Sequence, residues 1–372
     1  MQKNQSLGLE QLENRLTPTT QAFFSGGVLT VLGDTADNNI SVAADAAGNL
    51  TVTDNGQSIA IQSQDGSAPT KFNLNSLYVD GGNGNDVITT SKTLNVLDAN
   101  GKLAFAPSAT LLGGNGNDTI QPGHGGFVGG VVGAPVVGNC YMDGGNGDDT
   151  LISGPANDTI LGGNGDDNYV WLPGTLTDSF DGGAGNDTVT VIGNANQGDA
   201  FQLSAGQNGH ALFQRTNLVP FSVDISNTET ISLQPGSGND TVTINDLTGV
   251  AHLQTVVVNG GDGNDFINAV AQNNAKIQLV LNGDNGDDVI YGSPGNDVIN
   301  GGAGNDQLYG NGGYDVINGN DGNDLLDPGQ NVNGSVLTGG TGADTFVVYN
   351  TATPAVVTDF NAAEGDVFFY AS

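Results

Sequence analysis

Residues 283–327 read GDNGDDVIY, GSPGNDVIN, GGAGNDQLY, GNGGYDVIN and GNDGNDLLD. Five nonapeptides run end to end without a spacer, each with Asp at its sixth place and a large apolar residue at its eighth. Glycine at the first, second and fourth places of the pattern permits positive φ, so the backbone can curl tightly and turn its carbonyl oxygens inward. The sixth residues, Asp288, Asp297, Asp306, Asp315 and Asp324, add carboxylates. An all-oxygen, negatively charged donor set suits a hard divalent ion, and calcium tolerates the irregular coordination that a flexible loop offers. Places seven to nine predict a short strand with Ile290, Ile299, Leu308, Ile317 or Leu326 pointing inward. Three strand residues cannot bury a face alone, so copies must stack.

Further copies of the frame occur at 81–89 with Asp86, 113–121 with Asp118, 144–152 with Asp149, 162–170 with Asp167 and 182–190 with Asp187. Others lie at 235–243 with Asp240, 260–268 with Asp265 and 339–347 with Asp344. A divergent copy at 153–161 has Ser153 first and Ala156 at the fourth place; Ala resists positive φ, which puts a cation beside Asp158 in doubt. Asp149 and Asp167, two repeats apart, make the better pair. Asp240, Asp265 and Asp288 stand further apart than two nonapeptides, a spacing that fits one wider coil per repeat.

These residues resemble the hemolysin-type calcium-binding repeats of the RTX (repeats-in-toxin) β-roll family. The resemblance implies an all-β fold, a right-handed parallel β-roll or β-helix solenoid in which two nonapeptides make one turn. Repeats two apart are then neighbours roughly 4.8 Å apart. It implies several Ca2+ ions, held between the loops of Asp288 and Asp306, of Asp306 and Asp324, and, on the opposite side, of Asp297 and Asp315. The glycines Gly283, Gly292, Gly301, Gly302, Gly304, Gly310 and Gly319 form the loop backbone around them. Stacked carboxylates repel one another without cations, so calcium binding and folding are expected to be one event.

Composition agrees. Glycine contributes 60 of 372 residues, more than twice the usual share. Of 40 acidic residues only Glu10, Glu13, Glu229 and Glu364 are Glu; the rest are Asp, which suits tight turns and short-reach metal ligation. A formal charge of −33 excludes nucleic acid as a natural partner and disfavours anionic membrane surfaces. Acidic disorder conflicts with the regular recurrence of strand residues, and halophilic adaptation would not lock Asp to a nine-residue frame. Cys140 is the one cysteine and makes no internal disulfide; it reads as a small buried hydrophobe.

The chain divides into a tail or export-associated tag at 1–22, an N-terminal solenoid at 23–191, a divergent coil or projecting hairpin at 192–234, a C-terminal β-roll at 235–347 and a cap or secretion-associated tail at 348–372. Leu9, Leu12 and Leu16 have helical spacing, and residues 9–16 resemble the LExLExR tag of large exported bacterial repeat proteins. Strands are expected at 28–32, 40–42, 50–53 and 59–61. The apolar run 121–142 is broken by Pro122, Pro135 and many glycines, so it reads as a bulging loop, with no membrane span. His124 within it reads as incidental. Tyr169 and Trp171 are expected to cover the end of a repeat block, with sugar stacking as an alternative. Residues 356–369 resemble the DFxxxxGD element that closes many RTX proteins, and apolar strands there would cap the solenoid's open end.

No HExxH or GxSxG motif is present, and His124, His210 and His252 are isolated in sequence. The expectation is a non-catalytic, secreted or cell-surface bacterial protein with a structural, adhesive or matrix role, whose partners are calcium ions and either extracellular polysaccharide or further copies of itself. A non-catalytic export and stability module of an RTX effector is the alternative, as is a β-helical polysaccharide lyase or epimerase.

Overall fold

The computed structural model describes residues 19–127, 136–173, 176–218, 220–330 and 334–371. Of the tail or tag expected at 1–22, residues 1–18 lie outside the described residues, as do residues 128–135 of the apolar run, while Gln21 and Ala22 already belong to the strand Gln21–Ser25. The fold is all-β, a parallel solenoid whose described residues form two large sheets of 18 and 16 strands, with the 3₁₀ turn Lys92–Leu94 the one helical element among them. No helix among the described residues is long and apolar enough to cross a membrane.

In the C-terminal array the strands Gln278–Asn285, Asp297–Ala303, Val316–Asp321 and Val336–Thr341 stack in parallel in one sheet. The short strands Val289–Tyr291, Gln307–Tyr309, Leu325–Asp327 and Thr345–Tyr349 stack in the other. Successive nonapeptides therefore alternate between sheets, and partners are 18 residues apart, as Ile290↔Leu308 and Ile299↔Ile317 show. Alternation within each strand turns every second side chain inward. Ile290, Ile299, Leu308, Ile317 and Leu326 are all fully buried, forming a narrow apolar column between the sheets.

The N-terminal end is closed differently. Gln21–Ser25 pairs antiparallel with Val28–Leu32, and Asn39–Ala44, Leu50–Asp54 and Gln57–Ile59 form an antiparallel meander. The run 59–61 is not one strand: Gln57–Ile59 stays in the smaller sheet, while Ile61–Ser63 crosses to pair in parallel with Gln21–Ser25. Residues 192–234 neither project nor form a simple coil. Ala200–Ala205, Ala211–Arg215 and Phe221–Ser226 make an antiparallel meander in the plane of the larger sheet, joined in parallel to Asp178–Ala184 on one side and Thr241–Ile244 on the other.

Tyr169 and Trp171 are fully buried, so neither offers a surface for sugar stacking. Tyr169 stacks on Phe180 at 5.2 Å and donates its hydroxyl to Asp178 at 2.6 Å. Cys140 is buried and free. His124 is buried as well, with Nδ1 2.5 Å from Thr90 Oγ1; burial lowers its pKa to about 4, so it is a neutral part of the packing.

Candidate metal centres

Each loop places its Asp by the same local device. The curl of a Gly-rich turn brings the sixth-place carboxylate back over the first-place glycine, and a parallel neighbour stacks on it. The backbone N–H of each Asp then donates to Oδ1 of the Asp one coil on. One column runs Asp86→Asp118→Asp149→Asp167→Asp187 at 2.7–2.8 Å per step. A second runs Asp240→Asp265→Asp288→Asp306→Asp324→Asp344 at 2.7–3.0 Å. The first column lies in turns from the larger sheet to the smaller and the second in turns from the smaller to the larger, so the two occupy opposite edges. Asp158 donates to Asp178 at 2.9 Å on the second column's edge, and Asp297 to Asp315 at 3.0 Å on the first's.

The other carboxylate oxygen decides what these columns can do. Oδ2 is buried without any hydrogen-bond partner in Asp86, Asp118, Asp149, Asp167, Asp187, Asp240, Asp265, Asp288, Asp306, Asp315, Asp324 and Asp344. A buried anionic oxygen with nothing to accept from is costly. Its surroundings are more oxygen: the position of a Cβ on Gly301 would lie against both Asp306 Oδ2 and, at 2.8 Å, the Gly319 carbonyl. Gly283 faces Asp288 Oδ2 and the Gly301 carbonyl in the same way, and Gly319 and Gly310 face the Oδ2 atoms of Asp324 and Asp315. Gly302 and Gly304, both at positive φ, press against the carbonyls of Asp284 and Gly286 on the preceding coil. Among the described residues no three His, Cys, Asp or Glu side chains converge. A cation here would rest on carboxylate and backbone carbonyl oxygens, which is calcium's preferred chemistry. The donor set fits the ion.

Burial raises these carboxyls from their ordinary value of 3.8: Asp149, Asp167, Asp288 and Asp324 to about 7, and Asp86, Asp118, Asp240 and Asp306 to about 6. Asp315 reaches about 8.

Two predicted residues differ. Asp158 Oδ2 accepts the Gly154 N–H at 3.1 Å, and Asp297 Oδ2 accepts the Ser293 N–H at 2.6 Å and its hydroxyl at 3.1 Å. Both carboxylates are satisfied by their own loops, so these two loops lack the unpartnered oxygen that marks the rest, although Gly292 faces Asp297 Oδ2 and the Gly310 carbonyl as the other first-place glycines do. Sequence reasoning missed four members of the columns. Asp178 lies in a loop without the glycines. Asp199 follows a loop one residue too long, yet donates to Asp240 Oδ1. Glu229 takes the N–H of Asp187 on Oε2, and Asp366 takes that of Asp344. The signal for Asp366 was its place in the closing element; the other three carried none.

That element closes the stack with hydrogen bonds. Asp359 accepts from the N–H groups of Gly339 and Gly340 at 2.9 and 2.8 Å, and Asp366 from Asn361 at 2.6 Å. Phe360 stacks on Phe368 at 4.4 Å beside Phe346. At the other end Asn38 donates its N–H to Asp86 Oδ1 at 2.7 Å.

No curated protein matches the chain. A family model described as RTX calcium-binding nonapeptide repeat (4 copies) matches residues 78–100, 110–123, 142–170, 174–190, 256–274, 280–308 and 300–333. Asp240 and Asp344 fall outside these segments but stand in the same column. By stacking, donor set and family match alike, the matched segments of this chain are RTX calcium-binding nonapeptide repeats.

Proposed function

We propose that the protein is a calcium-folded, non-catalytic solenoid, exported to the cell surface or beyond it by a bacterium, where it serves a structural, adhesive or matrix role. One observation carries this reading: twelve buried Asp Oδ2 atoms, eleven of them in two stacked columns, each without a partner. Calcium bridging adjacent coils supplies the missing partner and offsets the repulsion within a chain of net charge −33. Abundant extracellular calcium suits an exported setting, where bound metal would do the stapling that a single cysteine cannot.

Self-association is the favoured form of adhesion. Among the described residues Val367–Ala371 pairs on one side, with Thr345–Tyr349, and Phe369 and Tyr370 are 59% and 76% exposed. An apolar strand with one open edge is a template for pairing with a second copy. Circular dichroism through a calcium titration, from chelated to about 10 mM with magnesium as the control, tests the folding claim. A coil-to-β transition specific to calcium supports it; a β signal indifferent to chelator removes it. Sedimentation of the calcium-loaded chain tests association, and a monomer at all concentrations would leave the adhesive role without support.

A further inference from the structure

We propose that the rung at Asp199 binds no calcium ion, its carboxylate being held by the Asn194 N–H on Oδ2 and by the guanidinium of Arg215 on Oδ1, which makes the surrounding residues a metal-free core between two separate calcium blocks. The inference rests on the calcium reading above. Asp199 sits in the stack, donating its N–H to Asp240 Oδ1, but both of its own oxygens are engaged. Oδ2 accepts the Asn194 N–H at 2.6 Å, and Oδ1 faces Arg215 Nη1 at 3.4 Å. Arg215 is 5% exposed, the one buried Lys or Arg among the described residues. Its guanidinium lies 4.7 Å from the centroid of Phe221 and 5.8 Å from that of Trp171. A guanidinium stays protonated at any working pH and, unlike a bound ion, cannot be drawn off by a chelator.

Glu229 ends the first column at Asp187, and the first unpartnered Oδ2 after the break belongs to Asp240. Between them lies a cluster of four buried aromatic rings: Trp171 stacks on Phe221 at 4.0 Å, and Phe201 meets Phe213 edge-on at 5.0 Å. The meander there has strands of five and six residues that pair antiparallel with their sequence neighbours. Local antiparallel pairing forms without distant partners, whereas the three-residue strands of the repeats need a stacked coil on each side. Calcium should therefore order the two blocks outward from a centre that is already packed.

Trp171 is the only tryptophan and reports on that centre. In the full chain with excess EGTA, we expect far-UV β signal to fall steeply while Trp171 emission stays blue and shielded from acrylamide. Arg215→Met should expose Trp171 in EGTA while its calcium-loaded spectrum matches wild type, and Asp199→Asn added to Arg215→Met should restore the shielding. Trp171 emission that shifts red in step with the loss of β signal overturns this inference alone, as does an Arg215→Met chain that stays shielded in EGTA. A far-UV signal unchanged by chelator overturns the calcium reading and this inference with it.

Discussion

Asp288 donates its backbone N–H to Oδ1 of Asp306 at 2.8 Å, while Oδ2 of Asp306 has no partner at all. One carboxylate thus does two jobs, holding register with one oxygen and presenting the other to a cation. Asp306→Asn keeps an acceptor for the Asp288 N–H and removes the charge. The variant is expected to be no less ordered than wild type in chelator, but to need more calcium to fold and to lose ~1–3 kcal/mol when loaded. Thermal unfolding with and without calcium measures both; equal loss in the two conditions would refute the division of labour.

Gly302 has φ +117°, and an added Cβ would collide with the Asp284 carbonyl of the coil below. Gly302→Ala is expected to cost more than ~2 kcal/mol through combined strain and overlap. Gly56, at φ +76° with nothing near its Cβ position, gives the contrast: Gly56→Ala should cost only ~1 kcal/mol. Urea midpoints in calcium rank the two.

The raised carboxyls set a pH dependence whose sign differs with and without calcium. Asp149, Asp167, Asp288 and Asp324 titrate near 7 when folded and near 3.8 when unfolded, so the folded chain binds more protons between those values. Stability without calcium should therefore fall as pH rises from about 4 through 7. Calcium must displace those protons, so its affinity should weaken as pH drops from 8 to 5. Far-UV spectra in EGTA and calcium titrations at pH 5, 6, 7 and 8 check both limbs; a calcium affinity flat across that range would contradict the assignment of these groups as ligands.

Asp359 holds the last coil by accepting from Gly339 and Gly340. Asp359→Ala leaves both donors without their acceptor, and the damage should stay local. Hydrogen exchange is expected to quicken across Val336–Thr341 and Val367–Ala371, with Val298 and Val316 unaffected. Loss of protection throughout the stack would show that the end controls the whole.

The nonapeptide frame was legible because glycine spacing and inward residues repeat in phase, which is how Asp288, Asp306 and Asp324 could be placed on one line from sequence. What lay off the frame was harder. Alternation at 59–61 shows which side chains face inward but not that Ala60 marks a change of sheet, since pairing partners are far away in sequence. The strands around Ala211 and Phe221 were legible too, yet their place inside the larger sheet follows from flanking coils they do not resemble. Asp199, Glu229 and Asp178 were invisible because each reaches the column through a loop of different length or composition, and only the stacking of neighbours brings them there. Tyr169 and Trp171 misled because aromatic residues beside a repeat look like a lid until the width of the core is known.

The steps along the first column span 32, 31, 18 and 20 residues, yet the hydrogen bond between successive aspartates keeps nearly one length. The extra residues of the longer coils lie between the end of the short strand and the start of the next long one, on the opposite edge, so coil length varies there without disturbing the aspartate spacing. The metal-bearing edge acts like the spine of a ring binder, indifferent to the size of the pages it holds.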